Sequence, residues 1–301
     1  MTARDRQFRA GAGYPGARPP AMPRRPVSKV PEVTAWFWII KILTTFMGEA
    51  TSDYLVHTIN PYAAVGLGFV VFAVSLAVQF CARRYRPWIY WSAVTMVAVF
   101  GTMAADVLHV ALGVPYIAST SFFVAALAVI FVAWYLTERT LSIHSIITPR
   151  REVFYWAAVV TAFALGTAAG DLTARTAGLG YLGAGILFTL VIVVPGIAYG
   201  LGLNPIASFW FAYIVTRPVG ASFADWLGFP RSAGGIGIGH GPVALVSAAV
   251  IACLVAYLAV SGSDAPREPA DPARAGLAAP GAPGRQDRAG RHRAAYPYRG
   301  R

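Results

Sequence analysis

From residue 33 to residue 261 the chain alternates between apolar runs of about twenty residues and short breaks rich in Pro, Gly and Arg. A helix needs about 20 predominantly apolar residues to cross the hydrocarbon core of a bilayer. Runs of that length divide the stretch into eight predicted spans, near 33–55, 61–81, 88–110, 116–137, 153–175, 181–202, 205–227 and 243–261. Only 13% of the residues are charged and the mean hydropathy is +0.56, against roughly 25% charged residues in an average soluble domain, so much of the surface must meet lipid. The fold class that follows is all-α: a polytopic membrane helix bundle of eight transmembrane helices.

Within this pattern four segments align without gaps: FWIIKILTTFMGEATSD (37–53), YWSAVTMVAVFGTMAAD (90–106), YWAAVVTAFALGTAAGD (155–171) and FWFAYIVTRPVGASFAD (209–225). Each begins with Phe or Tyr followed by Trp, has a Gly ten residues after the Trp and an Asp five residues after the Gly. A repeat of this period is one structural unit that cannot bury its apolar face alone. The units run over about 32–86, 87–149, 150–204 and 205–261, flanked by basic tails at 1–31 and 262–301 that are expected to be disordered. Each unit is two helices long, so the four motif helices point the same way as parallel repeats. Gly48, Gly101, Gly166 and Gly220 are the expected packing contacts, since small residues let membrane helices approach closely. Trp38, Trp91, Trp156 and Trp210 are the expected interface anchors. The motif helices form the predicted inner ring and the more uniformly apolar even-numbered helices the outer layer. The fourth copy ends in a divergent Gly-rich connection, WLGFPRSAGGIGIGHGP (226–242), expected to act as a mobile cover.

Charge refines the topology. The tails carry ten of the net +12, so the high pI gives little reason to expect a nucleic-acid-binding fold. Arg83, Arg84 and Arg86 follow the second span, and Arg139, Arg150 and Arg151 separate the fourth and fifth, whereas 56–60 and 111–115 hold no Lys or Arg. The positive-inside rule then puts both termini in the cytoplasm, with the chain in the cytoplasmic (inner) membrane. Cys81 and Cys253 have neither metal-site nor disulfide spacing. The chain has no HExxH, GxSxG or Walker motif, and GGIGIGHG (234–241) follows no predicted strand and lacks a phosphate-reaching Lys. No enzymatic activity and no cofactor are expected. The partners expected are the lipid bilayer and a cation substrate, and nothing sets the oligomeric state.

Chemistry concentrates on the motif helices. A carboxylate near the bilayer centre costs at least about 2.5–3.5 kcal/mol, so it normally faces a bundle interior, a partner or water. Asp53, Asp106, Asp171 and Asp225 recur at one position, and Glu49 stands one turn before Asp53. With Lys41 and Arg217 on the same helices, they form a candidate ion or proton pathway, in which clustered carboxylates would take up protons or a hard cation. His57 and His109, one turn beyond Asp53 and Asp106, would widen the choice toward transition metals, so the metal itself stays open. Lys41, Arg175 and Arg217 could instead neutralise the acids permanently, leaving a scaffold or partner subunit whose Asp residues merely join helices. Pro218 should kink or break the seventh span and Pro195 bend the sixth.

The motif KVPEVTAWFWIIKILTTFMGE, together with TRPVGASFAD, resembles a family of bacterial membrane-anchored proteins built from four tandem copies of a repeat of unknown function. The resemblance covers about residues 30–261. It implies an integral membrane fold and supplies no substrate.

Overall fold

The computed structural model describes residues 28–266. These form eight long helices, with no strand among the described residues: α1 (Ala35–Thr58), α2 (Pro61–Cys81), α3 (Pro87–Asp106), α4 (Tyr116–Glu138), α5 (Pro149–Asp171), α6 (Gly180–Gly200), α7 (Pro205–Gly228) and α8 (His240–Ser261). Four of them open on proline, at a position where the missing N–H has no intrahelical partner to lose. Asn60 and Asn204 accept hydrogen bonds from the first amides of α2 and α7, and Thr34 and Thr148 cap α1 and α5.

Six of these helical stretches (61–81, 87–109, 116–138, 149–176, 180–200 and 240–261) are long and apolar enough to cross a membrane. Helices α1 and α7, at 24 residues each, are equally long but interrupted by Lys41, Glu49 and Asp53 and by Arg217 and Asp225. Of these charged residues, Lys41, Glu49, Arg217 and Asp225 are buried inside the protein.

The motif helices close a ring in the order α1, α3, α5, α7 and back to α1. The glycine of each copy packs on the residue that lies three before the glycine of the next copy: Gly48 on Ala98, Gly101 on Phe163, Gly166 on Arg217 and Gly220 on Thr45. At Gly48, Gly166 and Gly220 a Cβ would collide with that neighbour, and at Gly101 it would crowd it. Each even-numbered helix rests on the next motif helix: α2 on α3, α4 on α5, α6 on α7, and α8 on α1. The outer helices turn Val70, Val74, Val129, Leu190, Val194 and Leu245 outward, as a lipid-facing layer requires.

The copies fall into two kinds at their ends. Helices α3 and α5 pass directly after Asp106 and Asp171 into a single wider π-turn, Val107–Ala111 and Leu172–Thr176, whereas α1 and α7 continue as α-helix beyond Asp53 and Asp225. The break expected at Pro218 does not occur, because α7 runs unbroken from 205 to 228, and α6 likewise continues past Pro195. Membrane helices tolerate proline where neighbouring side chains reach the disturbed backbone, and beside Pro218 the Thr45 hydroxyl donates to the Thr216 carbonyl at 3.4 Å.

The tryptophan end of the ring is packed with aromatic rings. Here the expectation of interface anchors is corrected. Trp91, Trp156 and Trp210 are buried and Trp38 is half-buried against Phe209. The motif helices form the inner ring, so their first turns meet each other rather than headgroups. Trp210 Nε1 donates to the Leu141 carbonyl at 3.0 Å, and the Tyr90 and Tyr155 hydroxyls are 2.6 Å apart. The α4–α5 connection folds under this end through buried Ile143 and Ile146.

The tails lie outside the described residues except at 28–31 and 262–266, which are held against the bundle. Lys29 pairs with Glu152 at 2.6 Å. Tyr85 donates a hydrogen bond to Asp264, whose burial pushes its carboxyl above the usual carboxylate range against that bond.

The ring contacts make a stability prediction. Gly220→Leu should cost at least the 1–3 kcal/mol typical of overpacking and broaden the size-exclusion profile of the purified protein. Gly196→Ala, where the added methyl meets nothing within 4 Å, should leave both profile and melting temperature unchanged.

Candidate functional site

At mid-height of the ring the buried guanidinium of Arg217 joins all four motif helices. Its Nη2 lies 2.6 Å from Glu49 Oε2 on α1 and 2.7 Å from Thr167 Oγ1 on α5, and it also donates to Thr102 Oγ1 on α3. Nη1 donates to the Thr45 carbonyl at 3.3 Å. Thr102 in turn donates to Glu49 Oε2 at 3.1 Å. Glu49, Thr102 and Thr167 each directly follow the motif glycine of their copy, so three equivalent positions converge on one cation from the fourth.

Lys41 does not join the acids, contrary to the role expected for it. Its buried Nζ lies 4.0 Å from the Phe163 ring centre and 4.2 Å from that of Tyr213, without a hydrogen-bond partner among the described residues. Phe163 also lies 5.6 Å from the Arg217 guanidinium, so the two cations share a ring between them. Such contacts are worth about 0.5–2 kcal/mol each.

Above this level the four aspartates occupy the other end of the ring. The common register of the motif helices brings them to one height. Their immediate partners differ. Asp171 pairs with Arg175 one turn on, at 3.2 Å. Asp53 Oδ2 lies 3.1 Å from His240 Nε2. Asp225, 5% exposed, has one carboxylate oxygen, Oδ1, buried without a hydrogen-bond partner among the described residues. Asp53, Asp225 and His240 each offer one ligand atom, and these lie within 4.8 Å of one another.

The two histidines singled out in the sequence are turned elsewhere. His57 Nδ1 bonds to the Asp53 carbonyl at 2.7 Å, in an exposed position. His109 stacks on Tyr116 with ring centres 4.2 Å apart and bonds to the Val114 carbonyl. The histidine that does reach the acids, His240, opens α8 after the Gly-rich connection. That connection is no loose cover. Ile236 and Ile238 donate to the carbonyls of Trp226 and Leu227 at the end of α7, at 2.7 and 3.0 Å. Gly234, Gly237 and Gly239 take φ values of +85°, +90° and +92°, which other residues adopt only under strain. A side chain at Gly228 would strike the His240 ring, and Phe229 meets that ring edge-on at 4.7 Å. Glycine spacing alone hinted at a special backbone here. Which side chain it delivered was not readable.

A separate apolar cavity of about 810 Å³ lies between α1, α6 and α7, lined by Trp38, Ile42, Ile192, Phe209 and others, in the tryptophan half and away from the aspartates.

The Arg217 cluster predicts strong non-additivity. Arg217→Met or Glu49→Gln alone leaves an uncompensated buried charge or its acceptors unpaired, at about 3–5 kcal/mol. The double variant should lose clearly less than the sum in denaturation of the detergent-solubilised protein, and additive losses would rule out the direct pair.

Neither a curated protein nor a solved structure matches the chain. A family model described as "Repeat of Unknown Function (DUF347)" matches it four times, at residues 36–85, 89–140, 154–200 and 208–263. The matched segments coincide with the four two-helix units of the ring and cover more than half of the sequence, and the chain belongs to that family.

Proposed function

We propose that this multi-pass membrane protein is a carrier for a cation, a secondary transporter or exporter working without nucleotide and without enzymatic chemistry. The supporting observation is the level of four aspartates at one end of a ring of parallel helices, including the buried, unpartnered Asp225 Oδ1. A carboxylate oxygen in that setting needs a proton or a cation. Arg217 and Glu49 below it satisfy one another, so they form a closed floor to the site, and passage of an ion would require that floor to open. The aromatic layer beneath would be the second barrier.

The orientation follows from charge. Arg83, Arg84, Arg86, Arg139 and Arg150 are exposed around the tryptophan end, and the positive-inside rule favours that end, with both termini, in the cytoplasm of the inner membrane. The aspartates would then face outward. Lys41 and Arg217 would modulate the pathway rather than serve as ligands.

The test is flux. The purified protein reconstituted in liposomes should move a divalent metal or protons, and Asp106→Asn and Asp171→Asn should fold normally while losing most of that flux. A parent protein that moves neither, with variants that fail to fold, would instead identify a helix-joining scaffold.

A further inference from the structure

The carrier reading leaves the ion unnamed, and it does not use the histidine that the Gly-rich connection delivers. From Asp53, Asp225 and His240 we infer a binding site for a divalent transition-metal ion, of the class of manganese, iron, cobalt or zinc. This deepens the carrier proposal, on which the identity of the bound ion as cargo rests.

Four observations support the site. The donor set is mixed: two carboxylate oxygens and an imidazole nitrogen. Hard ions such as magnesium and calcium take oxygen donors alone, whereas an imidazole suits the first-row transition metals and zinc. The donors come from three separate elements, α1, α7 and the start of α8, and still lie within 4.8 Å of one another. Donors bound tetrahedrally at about 2.1 Å lie about 3.4 Å apart, so side-chain movement of about an ångström closes the site. Next, Asp225 Oδ1, on one of the three clustered residues, is buried with no hydrogen bond among the described residues. Finally, the imidazole is positioned. Gly228 makes room for it, Phe229 braces it, and the backbone bonds of Ile236 and Ile238 fix the connection that carries it. A histidine placed only to neutralise Asp53 would need none of this construction.

The site has three protein ligands, and the Asp53 and His240 side chains remain 14% and 12% exposed, while His240 Nε2 and Asp225 Oδ1 themselves are buried. Structural metal sites are closed by four ligands. Three ligands with a remaining opening let an ion exchange, as cargo must.

The test uses the full chain in detergent, with equilibrium dialysis against zinc and manganese. One ion per chain is expected, not displaced by a large excess of magnesium. Asp225→Asn and His240→Gln should each weaken binding at least about tenfold, since even the partners that merely orient metal ligands are worth 10–100-fold. His57→Ala should bind as the parent does. To cover variants that fail to fold, pulsed electron paramagnetic resonance of manganese on the unmodified protein should show coupling to an imidazole nitrogen, lost in folded His240→Gln. Absence of binding in the parent would overturn the site and leave an ion pair joining α8 to α1. Binding that magnesium abolishes and His240→Gln does not alter would overturn it in favour of an oxygen-only cation site. Liposome flux measured in parallel separates the two proposals. Metal binding without flux would keep the site and remove the carrier, whereas flux insensitive to His240→Gln in a chain that binds no metal would do the reverse.

Discussion

A guanidinium with no exposed surface, in a part of the protein that lipid surrounds, has to find every partner within the protein. Arg217 finds a carboxylate, two hydroxyls and a backbone carbonyl on three other helices through its two terminal nitrogens, and only Nε is left without a hydrogen bond among the described residues. Water cannot substitute for any of these at that depth, and unpaired buried charge is among the most expensive defects a protein can carry. The four motif helices must therefore stand at heights that let Glu49, Thr102, Thr167 and the Thr45 carbonyl meet one point. Everything stacked along the same helices inherits that alignment, including the aromatic floor and the aspartates above.

The glycines make that meeting possible. Gly166 packs directly on the aliphatic part of Arg217, and Gly220 on Thr45, beside the carbonyl that the guanidinium reaches. Close backbone approach and a central polar cluster thus support each other: one brings the helices near, the other selects which relative height is satisfied. Van der Waals packing between small residues is weakly directional, and the hydrogen bonds supply the direction.

Much of this could be read in the chain beforehand. Apolar runs of spanning length located all eight helices, and the spacing of Trp, Gly and Asp disclosed four parallel units with the glycines at their contacts. What periodicity could not disclose was the choice of partner. Lys41 and Arg217 are both cations on the inward side of motif helices, yet only Arg217 meets a carboxylate, because Phe163 and Tyr213 stand where an acid for Lys41 would be. His57 and His109 had the right spacing from an aspartate along one helix, but helical spacing says nothing about a residue arriving from another segment. His240 does so through a connection whose path depends on three glycines with positive φ. The tryptophans misled for a related reason: a Trp at a helix end suits a membrane interface, and only the ring's closure decided that these ends face one another.

The order of packing around the ring, each motif glycine against the next copy and each even helix on the next motif helix, is a head-to-tail arrangement that closes after four steps. Four separate two-helix subunits could make the same closed circle, since a heterologous contact generates a ring when its rotation closes. Such an assembly would repeat every residue fourfold, so an arginine near the axis would bring three more with it, and their repulsion would leave the centre unoccupiable. Joining the copies in one polypeptide removes that restriction. Each copy is then free to differ at the axis, with Thr45, Ala98 and Phe163 at the positions equivalent to Arg217. The single arginine at the middle of this protein is something that identical subunits could not have built.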